Sequence, residues 1–293
     1  MNQFGAATNF VKVTHLKIRR NHPCYNHQVL QGSFMNFFSL LMFFFINTSF
    51  SAPLVINGKK ASLSDYPWNV KVGNVCSGVI VSKKHVLTAL HCLRAFDKNQ
   101  KIQIFGGGSG KVKELSQIGN VNKVIYHPEQ RNPTFGTDIV IFELKKEINF
   151  SDSIKLIRIN DSYSILDLVG KEVVLTGWGG MKKELRKTKL SIAPATSNSA
   201  YWEQRWIYES QKHNYGESYI FARVKCKVRN FYFRWSKCHR SSEGGDSGGP
   251  IIYNTEDGPV LIGIVRGEAY TKLEKYSVFL NLYKIKNWLK DNL

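Results

Sequence analysis

Gly244-Gly245-Asp246-Ser247-Gly248-Gly249-Pro250 sets one serine among four glycines. Glycine lets the backbone turn sharply and approach a substrate carbonyl closely, and its N–H groups can stabilise an oxyanion. The hydroxyl of Ser247 stands without bulky neighbours. A serine hydroxyl is a weak nucleophile at neutral pH and needs a base to take its proton. His91 lies in the apolar run Val86-Leu87-Thr88-Ala89-Leu90-His91-Cys92, which reads as the end of a buried strand delivering an imidazole to a cleft edge. Asp138 opens a second strand-like run, Asp138-Ile139-Val140-Ile141-Phe142-Glu143-Leu144, and can hold that imidazole in one tautomer. Taken singly, such a histidine reads as a structural residue and such an aspartate as a strand-end residue. In the order His, Asp, Ser, beside the glycine-rich turn, they read together as nucleophilic catalysis.

Two further landmarks complete the pattern: Val55-Ile56-Asn57-Gly58 followed by Tyr66-Pro67-Trp68-Asn69-Val70, and Leu175-Thr176-Gly177-Trp178-Gly179. With these the chain resembles the trypsin-like (chymotrypsin-fold) serine endopeptidases from Val55 to Gly180 and from Glu243 to the C-terminus. The resemblance implies an all-β fold of two six-stranded antiparallel β-barrels with a C-terminal helix. It implies acyl transfer to water: Ser247 attacks a scissile carbonyl, His91 takes and returns the proton, Asp138 orients His91, and the N–H groups of Gly245 and Ser247 hold the oxyanion. No cofactor and no metal are implied. The expected partners are protein or peptide substrates and protein inhibitors, and the expected state is a monomer. A zymogen is implied as well, in which the freed amino group of Val55 pairs with Asp246 and orders the oxyanion hole.

The five cysteines are Cys24, Cys76, Cys92, Cys226 and Cys238. By resemblance Cys76 and Cys92 form the disulfide that anchors the histidine loop. Cys226 and Cys238 either close a second loop or stay reduced, and the sequence leaves both open.

The substrate pocket departs from the family pattern. Counting back from Ser247, the pocket-base position falls on Ser241, with Ser242 and Glu243 after it. A neutral base there favours cleavage after apolar or aromatic residues over cleavage after Arg or Lys, whereas Glu243 or Glu268 facing the pocket would attract a basic side chain. Glu243 stands where the family has a cysteine, and Arg266-Gly267-Glu268 where it commonly has Ser-Trp-Gly. These departures keep a second reading open, a non-catalytic protease homologue acting as a binding or regulatory module. Retention of His91, Asp138 and Ser247 argues against it.

The N-terminal part reads as processing signals. Met35 to Ile46 is a short apolar core, and Ser49-Phe50-Ser51-Ala52 supplies a small-residue cleavage site, so residues 35–52 are expected to be a secretory signal peptide. Residues 1–34 form an extension without apolar core, 53–54 a very short propeptide, and 55–293 the protease domain; the rival reading makes 1–34 a basic cytoplasmic tail before a membrane anchor, for which the apolar run is short. Secretion to the extracellular space follows from the signal-peptide reading. Asn149 and Asn160 each begin an Asn-X-Ser sequon, the acceptor pattern for N-glycosylation.

Charge is the least family-typical property. The chain carries +19, and the four basic and no acidic residues before Val55 leave +15 from there onward. Residues 181–240 hold fourteen Lys or Arg and four Glu, interleaved with Trp202, Trp206, Tyr232 and Trp235. Such a segment either packs as autolysis loop and pocket wall or binds an acidic surface or glycan. It shows neither clean alternation nor helical spacing for long. Beyond it, Val260 to Val265 and Tyr276 to Leu280 read as strands, and Leu282, Ile285, Trp288 and Leu289 are spaced as the buried face of a closing helix.

Overall fold

The computed structural model describes residues 58–97, 99–131, 137–179, 184–194, 218–224, 241–270 and 275–293. Val55, residues 1–54, Cys226, Cys238 and most of 181–240 lie outside the described residues.

Short runs of aliphatic and β-branched residues, broken by glycine and polar turns, build the first barrel. A two-residue strand, β1 (Lys59–Lys60), precedes it. Then come β2 (Asn69–Val72), β3 (Cys76–Ile80), β4 (His85–Thr88), β5 (Gln103–Gly106), β6 (Ser116–Tyr126) and β7 (Val140–Leu144). They close antiparallel in the order β2-β3-β4-β7-β6-β5. In β4 and β7, Val86 lies opposite Phe142 and Leu87 opposite Ile141. The pleat sends Val86 and Phe142 into the barrel with Val70, Ile80 and Ile104. Leu87 and Ile141 leave by the other face.

That other face is equally buried, because the second barrel covers it. Its strands are β9 (Glu172–Gly177), β10 (Arg186–Ile192), β11 (Tyr219–Arg223), β12 (Pro250–Thr255), β13 (Gly258–Tyr270) and β14 (Lys275–Asn281). They run β10-β11-β14-β13-β12-β9, and β9 pairs back on β10 to close the ring. A short β8 (Arg158–Ile159) adds in parallel to β13, and β1 pairs with β10, Lys59 opposite Lys187. Val173, Leu175, Leu190, Ile220, Ile251, Ile262 and Phe279 fill this barrel. Val174, Ile252, Leu261, Ile264 and Leu280 meet Leu87, Ile139 and Ile141 of the first barrel in one shared cluster. Strands apolar on both faces therefore read in sequence as continuous runs, as 139–142 and 260–265 do.

Two elements of the basic segment belong to this barrel. β10 and β11 fall inside 181–240, with Leu190, Ile192, Ile220 and Ala222 buried and Lys187 and Lys189 turned outward. Lys189 pairs with Glu172 across the β9–β10 ladder at 2.7 Å. A single helical turn, α1 (Ile165–Leu168), is closed by a capping box between Ser164 and Asp167. The chain finishes in a 3-10 turn over Leu282–Ile285 and then α2 (Lys286–Asn292). As the spacing predicts, Leu282, Ile285 and Leu289 are buried in the shared cluster, with Trp288 packed against it.

Candidate active site

His91, Asp138 and the turn bearing Ser247 lie where the two barrels meet. β4 ends at Thr88, and the chain turns into a 3-10 segment, Leu90–Ala95, that carries His91 to the barrel rim. The Cys76–Cys92 disulfide ties that segment to the start of β3, as the resemblance implied. Asp138 precedes β7, which pairs with β4, so the ladder itself brings the two side chains to the same end. The carboxylate of Asp138 is nearly buried. Its Oδ1 accepts the backbone N–H of His91 at 2.9 Å, and its Oδ2 lies 2.7 Å from His91 Nδ1. Burial alone would raise this carboxyl, but the His91 hydrogen bonds and the Arg266 guanidinium outweigh it and hold the group below the usual carboxylate range. An ionised carboxylate can only accept a hydrogen bond. Nδ1 therefore carries a proton, and in the neutral ring the lone pair belongs to Nε2.

The serine turn is held against the first barrel by main-chain contacts. Ser77 N–H donates to the Ser247 carbonyl at 2.9 Å, and Ser77 Oγ–H to the Gly245 carbonyl at 2.9 Å. Cys92 Sγ, one residue from His91, lies 3.8 Å from the same Ser247 carbonyl oxygen. Gly248 has φ +78°, and a Cβ on it would collide with Thr88, the Ser77 carbonyl and the Ala89 backbone. A glycine is thus required at the point where the turn touches the histidine-bearing element. Gly248 N–H and Val265 N–H then bond to Val265 and Gly249 carbonyls, fixing the turn to β13.

Asp246 is fully buried beneath this turn. Its Oδ1 accepts from Gly179 N–H at 2.7 Å and its Oδ2 from Glu243 N–H at 3.0 Å. Burial nevertheless dominates, and the carboxyl is pushed up to about 7. A Cβ at Gly177 would fall on its Oδ1, so the Gly-Trp-Gly landmark is in part the space this side chain needs.

Lys71 on β2 was not singled out from the sequence. It is buried, with its ammonium 5.8 Å from the centre of the Trp178 ring. Burial lowers its affinity for a proton, and the attraction of Asp246 partly offsets that. The available signal was a lysine inside Asn69-Val70-Lys71-Val72, a strand buried at every position.

The residues expected at the pocket form a packed polar cluster. Ser241, Ser242 and Ser277 are fully buried. Ser277 Oγ accepts from Ser242 N–H at 2.7 Å, and Ser242 Oγ–H donates to the Gly267 carbonyl at 3.1 Å. Ser241 Oγ–H reaches Glu268 Oε1 at 3.3 Å, and that same oxygen is 2.7 Å from Lys275 Nζ. Arg266 turns away from this cluster: its Nε is 2.9 Å from Asp138 Oδ2.

One sequon expectation is corrected. Asn160 is buried, its amide donates to the Tyr163 carbonyl at 2.7 Å and its Oδ1 accepts from Tyr163 N–H at 3.0 Å, so in the folded chain it caps a turn instead of presenting a glycan acceptor. Asn149 is exposed.

Two closed six-stranded antiparallel barrels, with a His–Asp pair at their junction beside a Gly-Asp-Ser-Gly turn, match a known architecture. The trypsin family model matches residues 55–289, and the chain belongs to the trypsin-like serine protease family. Among curated relatives, it is 26% identical over 223 residues to serine protease filzig of Drosophila melanogaster, covering 70% of this chain and 12% of that protein. It is 23% identical over 253 residues to coagulation factor XI of Bos taurus, covering 81% of this chain and 37% of that protein. It is 24% identical over 251 residues to a trypsin of Sarcophaga bullata, covering 80% of this chain and 87% of that protein. The chain thus spans well under half of the first two.

Proposed function

We propose that the protein is a secreted serine endopeptidase that cleaves peptide bonds through an acyl-enzyme, with Ser247 as nucleophile, His91 as general base and then acid, and Asp138 as its orienting carboxylate. The observation that carries this reading is the two-point contact of Asp138 with His91, through the backbone N–H and Nδ1 at once. It fixes both the place and the tautomer of the imidazole, while the serine turn is bonded to the neighbouring strand through Ser77. Gly245 and Ser247 N–H groups would receive the oxyanion. The Cys76–Cys92 disulfide and the apolar core of residues 35–52 support export to an oxidising compartment. No described helix is long and apolar enough to cross a membrane.

Activation follows from Asp246. A carboxyl pushed up to about 7 by burial, which the attraction of Lys71 only partly offsets, would gain from a closer cation, and the α-ammonium of Val55, freed by removal of Pro53-Leu54, would supply one. Such pairing would hold Asp246 ionised and fix the turn that carries Gly245 and Ser247.

The pocket cluster favours an uncharged side chain before the scissile bond. Ser241 supplies no charge, and the Glu268 carboxylate is engaged by Lys275 and Ser241. A peptide library cleaved by protein starting at Val55 should show this preference. Ser247→Ala should abolish turnover with the fold intact. Undiminished hydrolysis in that variant would remove the assignment, and a folded parent that cleaves nothing in the library would favour the binding-module reading.

A further inference from the structure

β13 is irregular against β14 at one residue. Val265 lies opposite Phe279 and Gly267 opposite Val278, so Arg266 is an extra residue with no counterpart on β14. A bulge of this kind breaks the alternation of a strand and re-aims the side chain it carries. Here the side chain is aimed out of the pocket cluster and onto Asp138. Its Nε stands 2.9 Å from Oδ2 as an ion pair without hydrogen-bond alignment, and the same oxygen lies 2.7 Å from His91 Nδ1. Both partners are withdrawn from solvent, at 22% side-chain exposure for Arg266 and 8% for Asp138, so water does little to weaken the contact.

We propose that Arg266 is a positioning residue that acts through Asp138, sharing the carboxylate charge that His91 would otherwise have to itself. This inference rests on the hydrolytic reading above. Its chemistry is a competition for one oxygen. Asp138 is useful to a general base chiefly because its negative charge stabilises the imidazolium that forms when Ser247 gives up its proton. A guanidinium on the same oxygen opposes that cation. The enzyme then keeps a neutral base at lower pH, and gains less from Asp138 when the proton moves. Among the described residues, His91, from the turn after β4, and Arg266, from β13, are the charges that act on Asp138.

The test uses Arg266→Gln and Arg266→Lys in the full-length chain, with kcat/KM of the processed protein on one peptide followed against pH. In Arg266→Gln the acid limb is expected about one pH unit higher than in the parent, the tenfold effect of losing one neighbouring charge. Arg266→Lys, which keeps the cation, should hold the parent's limb. A residue that merely lined the pocket would raise KM and leave the limb where it was, and that result would overturn the proposal.

A second readout needs no turnover. The proton between His91 Nδ1 and Asp138 should resonate further downfield in Arg266→Gln than in the parent, because the carboxylate it meets is no longer shared. An unmoved resonance in folded protein overturns the proposal by itself. A shifted resonance in a protein that hydrolyses nothing would instead uphold the Arg266 contact and count against the hydrolytic reading.

Discussion

Asp246 shows how much chemistry one buried side chain can carry. Its carboxyl stands at about 7 in the folded chain against an ordinary 3.8, so between those values the native state holds a proton that the unfolded state has lost. Stability should therefore fall as pH rises from about 4 to about 7, with a slope on the order of 1 kcal/mol per pH unit at most. Denaturant melts of protein still carrying the residues before Val55 should show this slope. Asp246→Asn should remove it while lowering stability overall by about 1–3 kcal/mol, since an amide NH2 would then face the Gly179 or Glu243 N–H. In protein beginning at Val55, an ammonium paired with Asp246 would suppress the slope as well. An unchanged slope after that cleavage would count against the activation scheme. At this scale the pairing of His91 with Asp138 was legible, because each residue type implies its own chemistry, and so was the neighbouring turn that carries Ser247. The sequence was not legible for Arg266 and Lys71. The carboxylates that act on them or that they act on lie 128 and 175 positions away in the chain, and a lysine or arginine in a mostly apolar strand carries no mark of a carboxylate so distant in sequence.

Among the elements, the 3-10 segment Leu90–Ala95 is the one whose placement matters most, and it is held by β4 before it, by the disulfide at Cys92 and by Asp138 at His91. β4 delivers it, and the Cys76–Cys92 bond clamps it across a separation of 16 residues. Closing a loop of that size restricts the unfolded chain by roughly 3 kcal/mol. The double variant Cys76→Ser, Cys92→Ser should lose about that much in a denaturant midpoint measured at unchanged slope. It should lose activity more steeply still, because His91 is adjacent to the severed anchor. Equal stability in the variant would mean that the barrel alone positions the segment. Strand positions such as 260–265 and 276–280 were readable from apolar content, and the closing helix from the spacing of Leu282, Ile285 and Leu289. β11 was not, because burial on both faces erases the alternation that marks a strand, and β10 was not, because its inward-facing Thr188 is polar and leaves only Leu190 and Ile192 as apolar marks. The bulge at Arg266 was invisible for a different reason: it is a property of the pairing between β13 and β14, not of either sequence.

For the molecule as a whole, the working parts are divided between two barrels that share one apolar interface. Leu87, Ile139 and Ile141 from the first meet Val174, Ile252, Leu261, Ile264 and Leu280 from the second; His91 follows β4, Asp138 precedes β7, and the serine turn leads into β12. Packing that interface holds the turn bearing Ser247 beside the element that carries His91. The central claim, that this junction activates Ser247, is tested most directly by a fluorophosphonate, which captures only a serine whose proton is being taken. Folded protein beginning at Val55 should gain a single phosphonyl group, located on Ser247 by mass spectrometry. The group should be absent from Ser247→Ala and acquired far more slowly by His91→Ala. Folded protein that takes up no label, or takes it up equally well without Ser247, would contradict the account.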